Sequence, residues 1–332
     1  MIRFGVIGTN WITDRFLHAA KDMNDFSLFA VYSRTSERAR EFAEKYQVAN
    51  IFTSIEEMAK SDQLDAVYIA SPNSFHASQA ITFLNHGKHV LCEKPLASNA
   101  AEVAQMIEAA KKNNVLLMEA MRTTFLPAFT LIKDNLHKLG KIRRYVASYC
   151  QYSSRYDTYK AGTVLNAFNP LFSNGSLMDL GVYCIYPMVV LFGEPKEVRA
   201  TCIMLDSGVD GEGSLLVKYE EMEAVIIHSK ITDSMLPSEI QGEEGTMIID
   251  HIAAPKHIEI KYRDGRKEVL SAKQEREGMY YEARTFVDMI KQGKRDSPIN
   301  SHRNSYVTAT ILDAARKEMG LIFPADDSRK PC

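Results

Sequence analysis

The sequence predicts an α/β protein in two parts: a doubly wound parallel sheet over residues 1–122, then an α+β domain with a large, mostly antiparallel sheet over residues 123–332. Three observations carry that prediction. A chain of 332 residues is too long for one ordinary core and suits two domains. Its first third alternates apolar, strand-like runs with single amphipathic helices. Beyond about residue 122, long strand-like runs follow one another directly.

In chain order, "RFGVI" is the first strand and is followed by a helix through Phe16 and Ala20. "FSLFAVY" is followed by a helix whose apolar stripe, Ala39, Phe42, Ala43 and Tyr46, has the spacing i, i+3, i+4, i+7. "LDAVYIA" precedes a helix that stops at Gly87. "HVLCEK" precedes one that starts near Asn99, where Glu102 sits three residues on as in a capping box. "VLLME" is a further strand. Continuously apolar strands separated by single helices describe a parallel sheet covered on both faces.

The second part reads "KIRRYVASYCQY", "EVRATCIML", "GSLLVKY", "EAVIIHSKI", "GTMIID" and "HIEIKY", the last joined by Asp264-Gly265 to "KEVL" as a tight hairpin. Helices near 279–291 and 303–319 close the chain and are expected on one side of this sheet. The strands are apolar on both faces: Val225 and Ile227 point one way, Ala224 and Ile226 the other. The face that no helix covers is expected to be covered by a second copy, making a homodimer or higher homo-oligomer.

Composition narrows the classes. With 45% hydrophobic and 25% charged residues the chain can bury a core, and 40 Lys+Arg against 42 Asp+Glu, net charge -2, leaves no basic stripe for nucleic acid. No apolar run approaches the roughly 18 residues of a membrane span, so no membrane association is expected. A strand beginning at residue 2 leaves no room for a signal peptide and predicts a cytoplasmic protein. The five cysteines, Cys92, Cys150, Cys184, Cys202 and Cys332, are odd in number and lack C-x-x-C spacing. They predict reduced thiols and no metal site.

After "RFGVI" the chain reads Gly8-Thr9-Asn10-Trp11-Ile12-Thr13. A strand opening into a Gly-x-Gly-x-x-Gly/Ala turn lets a dinucleotide pyrophosphate rest on a helix N-terminus, as in the Rossmann arrangement. Here only the first glycine is kept, and a plain strand-to-helix turn is the competing reading. Asparagine tolerates left-handed or bridge conformations, and its short amide can reach a phosphate oxygen. Gly8, Thr9, Asn10, Trp11 and Ile12 are therefore the candidate phosphate turn. At the end of "FSLFAVY" an NAD site would place an acid for the ribose 2'-hydroxyl, whereas this chain has Ser33-Arg34-Thr35, with Arg38 one helical turn on. A guanidinium forks onto a 2'-phosphate that a carboxylate would repel. NADP(H) is the expected cofactor, with NAD(H) the alternative if these residues are only an exposed basic helix start.

"LCEKPLA" ends in Glu93-Lys94-Pro95, placing a lysine at the carboxyl edge of a parallel sheet, where ligands of such folds bind. "NGSLMDLGVYCIYP" places Asp179 and Tyr183 at i, i+4 on one helix face, opposite a core-facing stripe of Leu177, Leu180, Cys184, Met188 and Leu191. Pro187 cannot donate to the Tyr183 carbonyl and predicts a kink. By spacing alone, such a polar pair is more often a solvated helix face.

Taken together, these motifs resemble the glucose-fructose oxidoreductase / inositol dehydrogenase / rhizopine-catabolism (Gfo/Idh/MocA) oxidoreductases. The likeness runs from "GVIGT" through "SPNSFH", "CEKPLA" and "MEAM" to "GLIFPAD". Glu-Lys-Pro combined with Asp179-x-Gly181-x-Tyr183 is its most specific part. Many members carry histidine at the position of Tyr183. Tyrosine resembles the branch of dimeric dihydrodiol dehydrogenase, NADP-dependent xylose dehydrogenase and glucose-fructose oxidoreductase, which commonly uses NADP(H). The resemblance implies hydride transfer with Tyr183 as acid/base, Lys94 as the ammonium that lowers its pKa and touches the nicotinamide ribose, and Asp179 helping to hold substrate. The chemistry supports those roles: a hydroxyl proton must leave as hydride does, and a nearby ammonium lowers a phenol pKa of about 10 by about one to three units. Ser71, Pro72, Asn73, His76 and Glu93 match positions at the cofactor, although His76 serves equally to cap or pack on its own helix.

The chain departs from that branch after "VLLME". Relatives often show Glu-Ala-x-Trp-Thr-Arg-Phe, whereas this chain has Glu119-Ala120-Met121-Arg122-Thr123-Thr124-Phe125. The Trp and Arg positions are thus Arg122 and Thr124, and Arg122 is either a substrate-side arginine shifted by two residues or the mark of a different substrate. The resulting expectation is an NADP(H)-dependent oxidoreductase interconverting a hydroxyl and a carbonyl on a sugar, polyol or cyclic diol. The alternatives are a catalytically silent nucleotide-sensing regulator on the same fold, or a family enzyme acting on a nucleotide sugar or imine. Loops such as 153–174 set the substrate.

Overall fold

The computed structural model describes residues 1–327. Among the described residues the chain divides into two compact units: Met1–Arg122 with Arg276–Tyr306, and Thr123–Glu275 with residues 307–327. The first carries β1 (Ile2–Ile7), α1 (Trp11–Ala20), β2 (Phe26–Tyr32), α2 (Ser36–Lys45), β3 (Asn50–Phe52), α3 (Ile55–Ala59), β4 (Ala66–Ile69), α4 (His76–Asn85), β5 (His89–Glu93), α5 (Ala100–Lys112) and β6 (Leu117–Ala120). The strand order is β3-β2-β1-β4-β5-β6 with every neighbouring pair parallel. The order reverses between β1 and β4, the switch point at which doubly wound sheets bind ligands beyond their carboxyl ends. Val6, Ile7, Val67, Ile69, Val90 and Leu91 are fully buried, as strands covered on both faces require. Asn99 caps α5 by accepting from the Glu102 N–H at 2.9 Å, while Glu102 reaches back to the Ser98 N–H at 2.9 Å. The short β3 and α3 have no counterpart among the expected runs, being too brief to show a period.

The second unit carries α6 (Pro127–Asp134), β7 (Ile142–Cys150), α7 (Tyr156–Lys160), a π-helical turn at Leu177–Gly181 leading into α8 (Val182–Phe192), and then β8 (Glu197–Met204), β9 (Asp210–Lys218), β10 (Glu223–Ser229), β11 (Ser238–Gly242), β12 (Gly245–Ile249), β13 (Ile258–Tyr262) and β14 (Lys267–Leu270). The sheet order is β14-β13-β12-β11-β7-β10-β9-β8, with β7 and β10 parallel and the other pairs antiparallel. β11, "SEIQG", was not among the expected strands because only Ile240 marks it as apolar. One face of the sheet is the core: Tyr145, Ala147, Leu215, Val217, Ala224, Ile226, Ile240 and Met247 are buried. Val225 and Ile227 are only half-buried on the other face, beside Leu216 at 59% exposure.

α8 seats on the buried face, where Tyr145 Oη donates to the Cys184 carbonyl at 2.9 Å. Leu177, Leu180, Cys184 and Met188 are buried as their spacing predicts, and Leu191 is half-buried. Pro187 lies inside α8, but the departure from regular winding falls one turn earlier, at the π turn that contains Asp179. The expectation that no apolar run approaches a membrane span needs correction. Pro170–Phe192 is a 23-residue helical run with mean hydropathy 1.6, long and apolar enough by length and composition to cross one. It is a core element, with 72% of its apolar window buried inside the protein. Cys92, Cys150, Cys184 and Cys202 are free thiols, and Cys332 lies outside the described residues.

The closing helices divide between the two units. α9 (Gly278–Lys291) belongs to the first unit. Its stripe of Met279, Ala283, Phe286 and Val287 is buried, with Phe286 6.0 Å from the Phe4 ring. Arg284 donates to both Asp25 oxygens at 2.6 and 2.8 Å, and Lys291 adds a contact at 2.7 Å. These cations hold the Asp25 carboxyl far below the usual range. α10 (His302–Met319) begins in the first unit and continues into the second.

Candidate active site

In the first unit, Gly8 ends β1 with φ +103, and a Cβ there would lie 2.6 Å from the Ala70 carbonyl oxygen. Only a bare backbone can pass so close to the end of β4. Asn10 is not in the left-handed or bridge conformation used to rationalise it. It is extended, with φ -119 and ψ 175, and is the N-cap of α1. Its Oδ1 accepts from the Ile12 and Thr13 N–H groups at 3.0 and 3.3 Å, and its Nδ2 donates to Ala70 O at 2.8 Å. The amide thus closes the first turn of the helix and ties the turn after β1 to the end of β4. Thr13, at the third glycine position, is buried and donates from Oγ1 to Gly8 O at 2.7 Å. Trp11 is 58% exposed beside this turn, with the Arg15 guanidinium 5.8 Å from its ring centre.

At the end of β2, Ser33 is half-buried while Arg34, Thr35 and Arg38 are exposed. Thr35 caps α2 by accepting from the Arg38 N–H at 3.4 Å. In the loop after β4, Ser71, Pro72 and Asn73 are half-buried, and Ser71 Oγ donates to Gln79 at 2.7 Å. His76 is buried, with Nε2 2.8 Å from Ser71 O and Nδ1 3.0 Å from Pro95 O. The ring ties the loops after β4 and β5, and burial pushes its pKa down.

Lys94 is half-buried at the end of β5, next to a nest of buried carboxyls. Glu93 turns inward and accepts from Tyr68 Oη at 2.6 Å. Burial raises its pKa, opposed by the charges of Lys94 and Arg122. Glu119 accepts from the Leu96 N–H at 3.0 Å and is pushed up to about 7 by burial. Glu282 on α9 is fully buried and shifted well upward, again by burial, with the Arg122 charge opposing. The Arg122 charge thus opposes the upward shifts of Glu93 and Glu282, and Thr124 is buried in the second unit.

In the second unit, Asp179 and Tyr183 are half-buried on an otherwise buried helical run. The Tyr183 ring meets Tyr149 edge-on at 5.6 Å, and Tyr149 meets His251 at 4.7 Å. Beneath the π turn, Asp210 accepts from the Leu177 N–H at 2.6 Å, and its carboxylate lies against Gly175, whose φ is +142. Burial pushes Asp210 up to about 7. His228 is fully buried, 2.9 Å from Ser176 Oγ and 3.7 Å from Asp210, and burial pushes it down to about 3. A Cβ on Gly181 would lie 3.2 Å from the His228 ring, and one on Gly213 would lie 2.9 Å from it. Lys230, 3% exposed, pairs with Asp179 at 2.9 Å. Sequence reasoning missed Asp210, His228 and Lys230. The available signal was phase: His228 and Lys230 continue the inward register of Ala224 and Ile226.

Residues 2–121 match the model of the GFO/IDH/MocA oxidoreductase family, NAD-binding Rossmann fold, and residues 134–248 match the GFO/IDH/MocA C-terminal domain. The chain is 59% identical to scyllo-inositol 2-dehydrogenase (NADP(+)) IolU of Bacillus subtilis (strain 168), covering 99% of this chain and 100% of that one. It is 29% identical to trans-1,2-dihydrobenzene-1,2-diol dehydrogenase of Xenopus laevis, covering 97% and 99%. Among solved structures, KijD10, a 3-ketoreductase from Actinomadura kijaniata in complex with NADP and TDP-benzene, superposes with TM-score 0.84 at 25% identity over 96% of this chain and 98% of that one. Levoglucosan dehydrogenase in complex with NADH and L-sorbose has TM-score 0.86 at 20% identity over 96% and 97%, a likeness of fold.

Proposed function

The chain belongs to the GFO/IDH/MocA oxidoreductases, and we propose that it is an NADP(H)-dependent dehydrogenase that interconverts a ring hydroxyl and a carbonyl on a cyclic polyol. The observation that carries this reading is the 59% identity, end to end, with an NADP(+)-dependent scyllo-inositol 2-dehydrogenase. The first unit's residues fit the cofactor. Gly8 leaves bare backbone ahead of α1, and the exposed Arg34 and Thr35 at the end of β2 suit a 2'-phosphate. NADP+, when bound, supplies the hydride acceptor. In this reading Tyr183 Oη takes the hydroxyl proton, and Lys94 contacts the nicotinamide ribose and favours the tyrosinate. Asp179 accepts a hydrogen bond from a second substrate hydroxyl. Retention of Lys94, Asp179 and Tyr183 together argues against a silent nucleotide sensor. A second copy covers the outer face of the eight-stranded sheet, where Leu216, Val225 and Ile227 form an apolar surface.

The test is a screen of inositols, aldoses and cyclic diols with NADP+ and NAD+ at alkaline pH, followed by reduced-cofactor absorbance. The highest kcat/KM is expected for an inositol with NADP+. Tyr183→Phe keeps the ring against Tyr149 and should lower turnover about 100- to 10,000-fold, with cofactor affinity nearly unchanged. Wild-type turnover in Tyr183→Phe would remove the tyrosine from proton transfer, and tight NADP(H) binding with no turnover of any substrate would replace the enzyme with a sensor.

A further inference from the structure

We infer that Lys230 is a positioning residue, which clasps the substrate-determining segment 153–174 and fixes the Asp179 carboxylate to it. The inference rests on the reading of Asp179 as a substrate-holding group.

Lys230 directly follows β10, and its side chain is only 3% exposed. A buried ammonium is costly unless it is paired and hydrogen-bonded. Here Nζ donates to Asp179 Oδ2 at 2.9 Å and to Ala167 O at 2.9 Å, and it lies 5.1 Å from the centre of the Phe168 ring. Its backbone is pinned as well: the N–H donates to Gly211 O at 2.8 Å, and the carbonyl accepts from the Ser153 N–H at 2.9 Å. One residue therefore holds segment 153–174 at its start, through Ser153, and again about two thirds of the way along, through Ala167. Between those points Tyr156 and Tyr159 pack on Phe168 with ring centres 5.7 and 5.2 Å away, and Tyr159 Oη accepts from the Ser207 N–H at 3.1 Å. The ammonium is the floor of this aromatic pile.

Asp179, by contrast, is 37% exposed. The clasp holds one carboxylate oxygen from below while the residue keeps an accessible side. The charged and titratable groups facing Lys230 are Asp179 and, by charge, Asp210, with the buried His228 beside Asp210. Because the same ammonium touches Ala167, a shift of the segment is felt at the carboxylate, and the aim of Asp179 depends on the segment's conformation.

A double-mutant cycle in the full-length protein tests this, with scyllo-inositol and NADP+ as substrates. Lys230→Met should raise KM for scyllo-inositol about tenfold or more while kcat falls less, because ground-state holding is what is lost. Without the ammonium Asp179 protonates more readily, so the acidic limb of kcat/KM should move to higher pH. NADP(H) affinity should be unchanged, which also reports folding of the first unit. Added to Asp179→Asn, the lysine change should cost less than about twofold more, since both act through one carboxylate. Additive losses would overturn the inference, as would a Lys230→Met protein that keeps its KM and pH profile and only unfolds more easily. Should Asp179→Asn itself leave KM untouched, the reading of Asp179 fails first and takes this inference with it. If Lys230→Met does not fold, Lys230→Gln keeps a donor toward Ala167 O but not the charge, and must show the same shift of the acidic limb.

Discussion

Replacing Asn10 with alanine removes three hydrogen bonds, two into the first turn of α1 and one from Nδ2 to Ala70 O. Loss of an asparagine N-cap to alanine costs about 1 kcal/mol. The bond to Ala70 O adds about 1 kcal/mol more. A total of about 2 kcal/mol corresponds to roughly a 30-fold change in the folding equilibrium. Asn10→Gly loses the same bond to Ala70 but only a few tenths of the capping energy, so about 1 to 1.5 kcal/mol is expected. NADP(H) affinity in Asn10→Gly should stay within about tenfold, or 1.4 kcal/mol, because the helix N–H groups the amide occupied become available. Asn10→Asp keeps a cap and gains from the helix dipole. It loses the donor to Ala70 and sets a carboxylate beside the candidate pyrophosphate site, so its affinity should fall by more than that. The assay is built in: Trp11 is the only tryptophan, exposed at the turn, and reports both urea unfolding of the first unit and cofactor titration. A hundredfold loss of NADP(H) affinity in Asn10→Gly with an unchanged unfolding midpoint would show that the amide is a cofactor ligand, and the capping argument would be wrong.

Arg34→Asp should weaken NADP(H) far more than NAD(H), since a charge-assisted fork is replaced by a like charge; isothermal titration giving equal losses would remove Arg34 from the 2'-phosphate site. Asp210 titrates near 7 when folded, against 3.8 ordinarily, so between those values the folded state holds a proton that the unfolded chain has released. Stability contributed at this site is full below about pH 4, falls as pH rises and levels off above about 7; at roughly 1.4 kcal/mol per unit the full effect is about 4 kcal/mol. Asp210→Asn lacks this dependence, so its unfolding free energy relative to wild type should climb between about pH 4 and 7, and a flat difference would contradict the assignment. Light scattering should give at least twice the chain mass at micromolar concentration, and a clean monomer would leave the outer sheet face unexplained.

What could be read from the sequence was what repeats locally. The strand–helix alternation of the first unit, the Asp264-Gly265 hairpin and the Asn99 cap each have a signature within ten residues, and each is present. The destination of α9 has no such signature. Its stripe shows that it must be buried, but Phe4 and Asp25, which receive it, lie more than 200 residues away in sequence. Asn10 is extended rather than left-handed because it caps α1, and a short amide ahead of an apolar-periodic helix is itself a capping signal. Asp179 and Tyr183 stood out by motif, while Lys230 and Asp210 beneath them were hidden in strand-like runs, where a polar residue in the core register looks like an interruption.

The His228 ring lies between two stretches of backbone that carry no side chains, at Gly181 and Gly213. The glycine inside Asp179-x-Gly181-x-Tyr183 is thus set by the Leu177 side chain, 3.0 Å from where its Cβ would lie, together with an imidazole on another strand at 3.2 Å. Randomising Gly181 alone should return mostly glycine, whereas a library that also varies Leu177 and His228 can admit alanine at 181 wherever both become smaller. Redesign of substrate preference around Asp179 and Tyr183 has to carry Gly181, Leu177 and His228 along unchanged, or replace them together.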